Sequence, residues 1–460
     1  MLPHSALRAP RLHPAARPAA RQCTLAARAA GKIRRVRQRP RAERSGPYGL
    51  VGALVLAVLG AACASVAAAG PVPFRVGAIF PLDGTTAPDS TDEYLGATLA
   101  AQLANADGGI NGHQISIDLR DVEDQAQIPA AVASLQSDGV PVVIGAYSSQ
   151  LSIPAAAAVS AAGMVYWETG AVADRVTGLG SPLVFRVGVN GAELGANAGK
   201  FMLEQLVPHM GMPVGAIRVS FVTANDDYGH SVADATRTAL EAGGVHISGE
   251  SVYNPYTPDW APVMRTLAAE KPDILVLSSH IQDGIAFRRA FLAAGLGVKV
   301  FMGTTMAQCD QDFGNVLGAA AVGVFASDRP QGDFNPGALD PQARSLYDRF
   351  AALWKQRTGE AAPDEEGIAG FTAAWVLFAD VLNRAGDDSA QSIAAAARSL
   401  DLPSGSLPNG GGVLFSSAAG QLGQNTRAAA VVWQWQSPRH SVVVWPPVYA
   451  TGQVKLAASS

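Results

Sequence analysis

Two short polar turns carry the residue types best suited to holding a small charged molecule. Tyr147-Ser148-Ser149 follows the apolar run Val140 to Gly145 and precedes an Ala-rich segment that contains Pro154. Trp167-Glu168-Thr169-Gly170 follows the apolar run around Val165 and precedes Ala171-Val172 and the segment ADRVT. Hydroxyls and unpaired N–H groups at helix starts stabilise an anion without a buried cation. The same serines have a plainer use, which is to cap the helix that follows. Glu168 needs a partner, because a carboxylate in a half-buried turn is costly when alone. That partner is either a ligand cation or a hinge or capping contact within the protein.

The elements that must position these turns form a strand-helix-strand unit from Ile144 to Val172. Ligands of open α/β sheets bind at the carboxyl ends of the strands, where both turns fall. Pro154 is expected in the first helical turn, where its missing N–H is harmless. The unit sits in a longer alternation. Strands are expected at Phe74 to Leu82, Gln114 to Arg120, Val140 to Gly145 and Leu183 to Val189, and helices at Tyr94 to Asn105, Ile128 to Asp138 and Glu193 to Leu206. The pattern restarts with strands at Ile217 to Thr223, Val245 to Tyr253, Ile274 to Ser278 and Val298 to Gly303. Helices Ser231 to Ala242, Asp259 to Glu270 and Gly284 to Ala294 lie between them. Helices at Pro341 to Gly359 and Glu366 to Arg384 follow, then the segment Ile393 to Leu400, a Pro/Gly-rich loop from Leu402 to Gly412, and strands Val413 to Phe415 and Ala428 to Gln436. Such alternation reads as two doubly wound α/β lobes, and a cleft between lobes is a preferred small-molecule site.

Composition narrows the partners. Of 460 residues, 48% are hydrophobic and the mean hydropathy is +0.15, enough for large cores. Residues 1–63 hold 12 of the 34 Lys+Arg and one of the 38 Asp+Glu, so the remainder carries 22 basic against 37 acidic residues, or −15. An acidic body is repelled by phosphate backbones, which argues against nucleic acid as a partner. Gly49 to Ala69 is an apolar run preceded by arginines, the order of an export signal. Cleavage is expected either after Ala69 or before Cys63, where Leu59-Gly60-Ala61-Ala62-Cys63 resembles a lipobox with its leucine displaced by one position. The lipidated form is the preferred expectation, with translation starting near Val36. Cys23, Cys63 and Cys309 have no metal-ligand spacing, and Cys309 is expected as a small buried residue. Nucleophile-elbow, zinc-protease, phosphate-loop and dinucleotide motifs are missing from the sequence, so neither an enzyme nor a cofactor is expected.

Taken in order, RVGAIFPL, ANADGGINGHQISIDLRDVEDQ, VVIGAYSSQLSIPAAAAVSAAG, FVTANDDYGHSVAD, GLGVKVFMGT and AAVVWQW resemble the type I periplasmic solute-binding proteins of ABC transporters, in particular the branched-chain amino-acid group. The resemblance spans Phe74 to Tyr449. It implies two Rossmann-like lobes joined by three crossovers, with lobe 1 from residues 74–190 plus 328–425 and lobe 2 from 191–327 plus 426–450, after a leader over 1–69. It also implies an exported monomer, periplasmic or on the outer face of the cytoplasmic membrane. Such a protein captures a small polar solute, amino-acid-like, and delivers it to an ABC permease. A ligand-sensing receptor of the same fold is the alternative.

By the same resemblance Ser149 binds a ligand carboxylate, with Tyr147 beside it. Gly170 and Val172 match positions that bind through backbone and hydroxyl, although Val172 has no hydroxyl to give. Tyr228 matches an aromatic covering the ligand, and His280 replaces another. Thr305 stands where the amino-acid binders carry an acid for the ligand ammonium. Glu168, Asp226 or Asp283 is then expected to take that ammonium, unless the ligand has none.

Overall fold

Continuous apolar runs become buried parallel strands. The computed structural model describes residues 71–84 and 86–456, and in it β1 (Phe74–Phe80), β2 (Ile115–Asp121), β3 (Val142–Gly145), β4 (Val165–Glu168) and β5 (Val184–Arg186) form one sheet. Its order is β2-β1-β3-β4-β5 and every pairing is parallel. β3 and β4 are buried along their whole length, as strands with both faces covered must be. Helices α1 (Ala87–Ala106), α2 (Ile128–Ser137), α3 (Ser149–Ala161) and the single turn α4 (Arg175–Gly178) make the connections.

The chain then leaves this sheet through α5 (Gly191–Phe201) and builds a second one. Strands β6 (Arg218–Ala224), β7 (His246–Tyr253), β8 (Ile274–Ser278), β9 (Val300–Gly303) and β10 (Val324–Asp328) pair in parallel. They alternate with α6 (Asp227–Ala242), α7 (Trp260–Glu270), α8 (Ile281–Ala293) and α9 (Gln311–Leu317). It returns to the first sheet as α10 (Pro341–Thr358), α11 (Glu365–Trp375) and α12 (Ala390–Arg398), whose Phe350, Trp354, Phe371 and Ile393 share a core with Val76, Phe80, Val142 and Trp167. There α1 and α11 touch backbone to backbone. A Cβ on Gly96 would lie 2.1 Å from the Gly367 carbonyl oxygen, so only glycine fits. A last crossing adds β11 (Val431–Ser437) antiparallel to β10 and β12 (His440–Trp445) antiparallel to β11, giving the order β12-β11-β10-β9-β8-β6-β7. Two α/β layers joined by three crossings are the architecture the resemblance implies.

Several local expectations change. Pro154 lies in the second turn of α3, not the first, so the Gln150 carbonyl loses its helical donor. α1 starts at Ala87, well before Tyr94, because Pro88 fits the first turn. Helix α5 ends at Phe201 and runs on as a π turn over Met202–Leu206. Val413 and Phe415 make isolated bridges, to Leu402 and Asn425, and not a strand. α9, β10 and β12 were not expected. Cys63 and the leader lie outside the described residues. Among those described, no helix is long and apolar enough to cross a membrane.

Candidate functional site

The two serines of the first turn divide the roles considered for them. Ser148 is the N-cap of α3, with its hydroxyl accepting from the Leu151 N–H at 3.4 Å. Ser149 is the first helical residue, and its Oγ accepts from the Ala173 N–H at 3.1 Å. That bond draws the start of α3 against the turn after β4 and leaves the Ser149 hydroxyl proton to donate elsewhere. Among the hydrogen bonds of the described residues, none uses the N–H of Ser149, Gln150 or Val172. A helix start with a hydroxyl and open N–H groups has the chemistry to hold an anion. Tyr147, held at φ 66°, is buried and donates its Oη to Asp89 Oδ2 at 3.0 Å, away from the serines.

The second turn is organised inward, which corrects the expectations for Glu168 and Gly170. Glu168 is fully buried, and its Oε1 accepts from the N–H groups of Thr169, Gly170 and Ala171 at 2.9, 2.9 and 2.8 Å. Its Oε2 accepts from Tyr166 Oη at 3.0 Å. Burial pushes the Glu168 carboxyl up, against hydrogen bonds from Ser152 and the turn's own N–H groups and the charge of Arg186. Glu168 is therefore the anchor of its own turn and not a partner for a ligand ammonium. Gly170 offers no N–H to a ligand, since that N–H goes to Glu168, and its carbonyl accepts from Arg329 Nη1 at 2.7 Å. It is glycine because a Cβ there would overlap the Glu93 carboxylate, 1.7 Å from Oε2. Arg186 fixes the other side, donating through Nη1 to the carbonyls of Ala171 and Ala173 at 3.0 and 2.8 Å.

Facing these turns, the ends of the second sheet bring Tyr228, His280, Thr305 and Val172 together. Tyr228 is buried among Val172, Val189, Leu194 and Val232, with Met306 against them. Its Oη donates to the Ser279 carbonyl at 3.0 Å, with the Thr305 carbonyl at 3.2 Å, so only its ring is free for other contacts. His280 lies 5.0 Å from that ring and pairs through Nε2 with Asp226 Oδ2 at 2.6 Å. The hydrogen bond and charge of Asp226 raise the His280 pKa against the effect of burial. Asp226 also caps α6 through the Gly229 N–H. Asp283 accepts from Tyr253 Oη and the Gly284 N–H. Each of the three carboxylates expected to await an ammonium is thus already engaged.

Thr305 is fully buried, and its hydroxyl donates to Asp328 Oδ2, which also accepts from the Met306 N–H at 2.7 Å. The position is tied to Asp328 at the end of β10. Beside it Cys309, buried as expected, places Sγ 3.0 Å from Asp328 Oδ2 and 3.2 Å from Glu365 Oε2. Thiol and carboxylates could ligate a metal, but the Arg329 guanidinium, 2.8 Å from Glu365 Oε1, already supplies the positive charge there. Three contacts link elements of the two sheets across this region. Tyr256 Oη donates to Gln150 Oε1 at 2.7 Å, Asp174 N–H to Ser231 Oγ at 3.1 Å, and Arg175 pairs with Asp227 at 3.4 Å.

The periplasmic binding protein family, compared as a whole with the chain, matches residues 73–435. The chain belongs to that family. The Leu/Ile/Val-binding protein homolog 8 of Brucella suis is 26% identical to this binding protein over 405 residues, covering 87% of the chain and 98% of the relative. A leucine binding protein from Thermotoga maritima superposes with a TM-score of 0.66 at 19% identity, over 80% of this chain and 97% of that one. A solute binding protein of an ABC transporter from R. palustris, in complex with benzoate, gives 0.66 at 20% identity, over 84% and 98%. The family and these relatives are binding proteins and not enzymes, and membership places the working part of the binding protein outside the cytoplasm.

Asp89, Glu366, Asp310, Arg329 and Tyr256 were not singled out from the sequence. Acidic residues at helix starts read as ordinary complements to the helix dipole, which hid the first two.

Proposed function

We propose that this binding protein is the solute-capturing component of an ABC importer, holding the carboxylate of an amino acid or amino-acid-like solute at the start of α3. The lobes given above would close on the solute, and closure needs only a higher affinity of solute for the closed state. The protein would act as a monomer and hand its solute to the permease. One observation carries the reading. Ser149 sits at a helix start with its hydroxyl proton and the N–H groups of Ser149, Gln150 and Val172 open to an anion. The Leu/Ile/Val-binding relative and the benzoate-bound neighbour share a carboxylate in what their names say they bind, but not an ammonium.

Calorimetric titration with leucine, with 4-methyl-2-oxopentanoate and with benzoate tests the reading. A ligand bound here should lose about 1–3 kcal/mol of affinity in Ser149→Ala, the cost of removing a donor from a buried charged acceptor. Unchanged affinity for every carboxylate that binds would remove Ser149 from the site. We further propose that Cys63 is lipidated and anchors the protein. An unmodified mature N-terminus after Ala69, found by intact-mass measurement, would show release instead.

A further inference from the structure

We infer that His280 is a second point of contact with the captured solute: anchored on Asp226 through Nε2, its imidazolium donates from Nδ1 to an acceptor oxygen of the solute, so capture takes up a proton. This rests on the carboxylate reading above and adds the regulation of that same site. His280 follows the buried strand β8 and stands at the N-cap of α8, yet its side chain caps nothing there. An N-cap is the usual place of a short oxygen side chain that accepts from the next turn. The imidazole turns instead to another element, placing Nε2 2.6 Å from Asp226 Oδ2.

That contact fixes the chemistry of both ring nitrogens. Asp226 Oδ1 accepts from the Gly229 N–H at 2.7 Å, and despite burial the hydrogen bond and charge of His280 hold the Asp226 carboxyl below its ordinary range. An ionised carboxylate only accepts, so Nε2 carries the hydrogen and Nδ1 is the nitrogen left over. Among the hydrogen bonds of the described residues none uses His280 Nδ1. The side chain is 39% exposed, so the ring is reachable from outside the core. It lies 5.0 Å from the ring of Tyr228, which packs with Val172, the carrier of one of the open N–H groups. Tyr256, in the loop after β7, reaches Gln150, the carrier of another. Elements of the second sheet thus bring His280 up to the open donors of the first.

A neutral ring in this tautomer presents a lone pair at Nδ1 and repels a carboxylate, whereas the imidazolium presents an N–H. The groups around the ring favour the charged form. From α6 come Asp226 and Tyr228, with His230 acting on Asp226, and Asp227 paired to Arg175 of α4. From its own helix comes Asp283, held by Tyr253 of β7, and beyond Tyr228, through Thr305, lie Asp328 and Cys309. Burial works against the charge, but Asp226 and then Asp283 outweigh it and raise the His280 pKa above its ordinary value. A solute oxygen at Nδ1 adds to the same side of that balance.

The test is calorimetric titration of the full exported chain with benzoate and with 4-methyl-2-oxopentanoate, neither of which changes charge from about pH 6 to about pH 9. Affinity should fall about tenfold or more over that interval, as a charge-assisted donor is withdrawn. By linkage, the contact is complete below the His280 pKa of the free protein and is lost as pH rises through it. The heat of binding should also change with the ionisation enthalpy of the buffer, by the fraction of a proton taken up. His280→Phe keeps a ring against Tyr228 and should remove both signals. Asp226→Asn keeps the α6 cap and should move the fall to lower pH. Thermal melts check that each variant is folded, and if one is not, the other still decides. Affinity flat with pH, or a fall unchanged in His280→Phe and unmoved in Asp226→Asn, overturns the inference. Flat affinity that still depends on Ser149 leaves the carboxylate reading standing, whereas a His280-dependent fall without any Ser149 dependence removes that reading and keeps the proton-linked contact.

Discussion

The turns after β3 and β4 are adjacent, similar in length and both polar, yet they handle their backbone groups in opposite ways. After β4, Glu168 takes three N–H groups, while Arg186 and Arg329 take three carbonyls between them. After β3, the α3 start has one side-chain cap, from Ser148, and among the hydrogen bonds of the described residues its first two N–H groups, of Ser149 and Gln150, stay open. One turn is a shelf completed by buried charges, and the other is an open helix start joined to that shelf through the Ser149–Ala173 bond. Two polar turns at strand ends are thus not equivalent evidence for a ligand. What separates them is where their donors and acceptors already point.

The largest effect should come from breaking the shelf. Glu168→Ala leaves three buried N–H groups and Arg186 without their carboxylate, and should cost about 3–5 kcal/mol of stability, read from urea unfolding. If stability is unchanged, the shelf is not held by Glu168. Next comes the pH dependence of the ligand-free protein. Asp89 and Asp310 titrate in the folded state at about 6 and about 7, and burial pushes Glu93 to about 8, all above the ordinary carboxyl range. The folded state therefore holds protons that the unfolded chain releases, so stability from these groups is full below about pH 4 and is lost as pH rises through 6 to 8. Melting temperatures should fall over that interval, and Asp89→Asn with Asp310→Asn should flatten the fall. The smallest effect is expected at the rim. Tyr256 is 72% exposed, so Tyr256→Phe should remove no more than about 1 kcal/mol from ligand affinity and appear mainly as faster dissociation.

The open helix start was legible in the sequence and the shelf was not. Ser149 follows a buried apolar run and precedes a helix, a pattern local enough to place its N–H groups before any fold is known. Glu168 and Gly170 needed the third dimension, because nothing in ETGAV shows that the carboxylate folds back onto its own turn or that Glu93 fills the space a side chain would occupy. Asp226 and Asp283 looked available for the same reason, and their partners His280 and Tyr253 arrive from other elements. The parallel strands of both sheets were readable except β10, the central ones from continuous apolar runs and the polar edge strands β2 and β7 from their place in the alternation. β12 was hidden between Pro438 and Pro446, which read as loop.

The three crossings have a consequence for how the chain comes into being. The first sheet is not covered until α10 to α12 have been made, and β10 keeps an open edge until Asp328 can meet Val431 and Ser327 can meet Val432. Neither layer can be completed by a contiguous stretch of chain, so completion waits for nearly the last strand, and such distant pairing is slow to form. A chain ending before Val431 would present the β10 edge as an unpaired row of donors and acceptors. Truncation at that point would give an adhesive product rather than a smaller working protein.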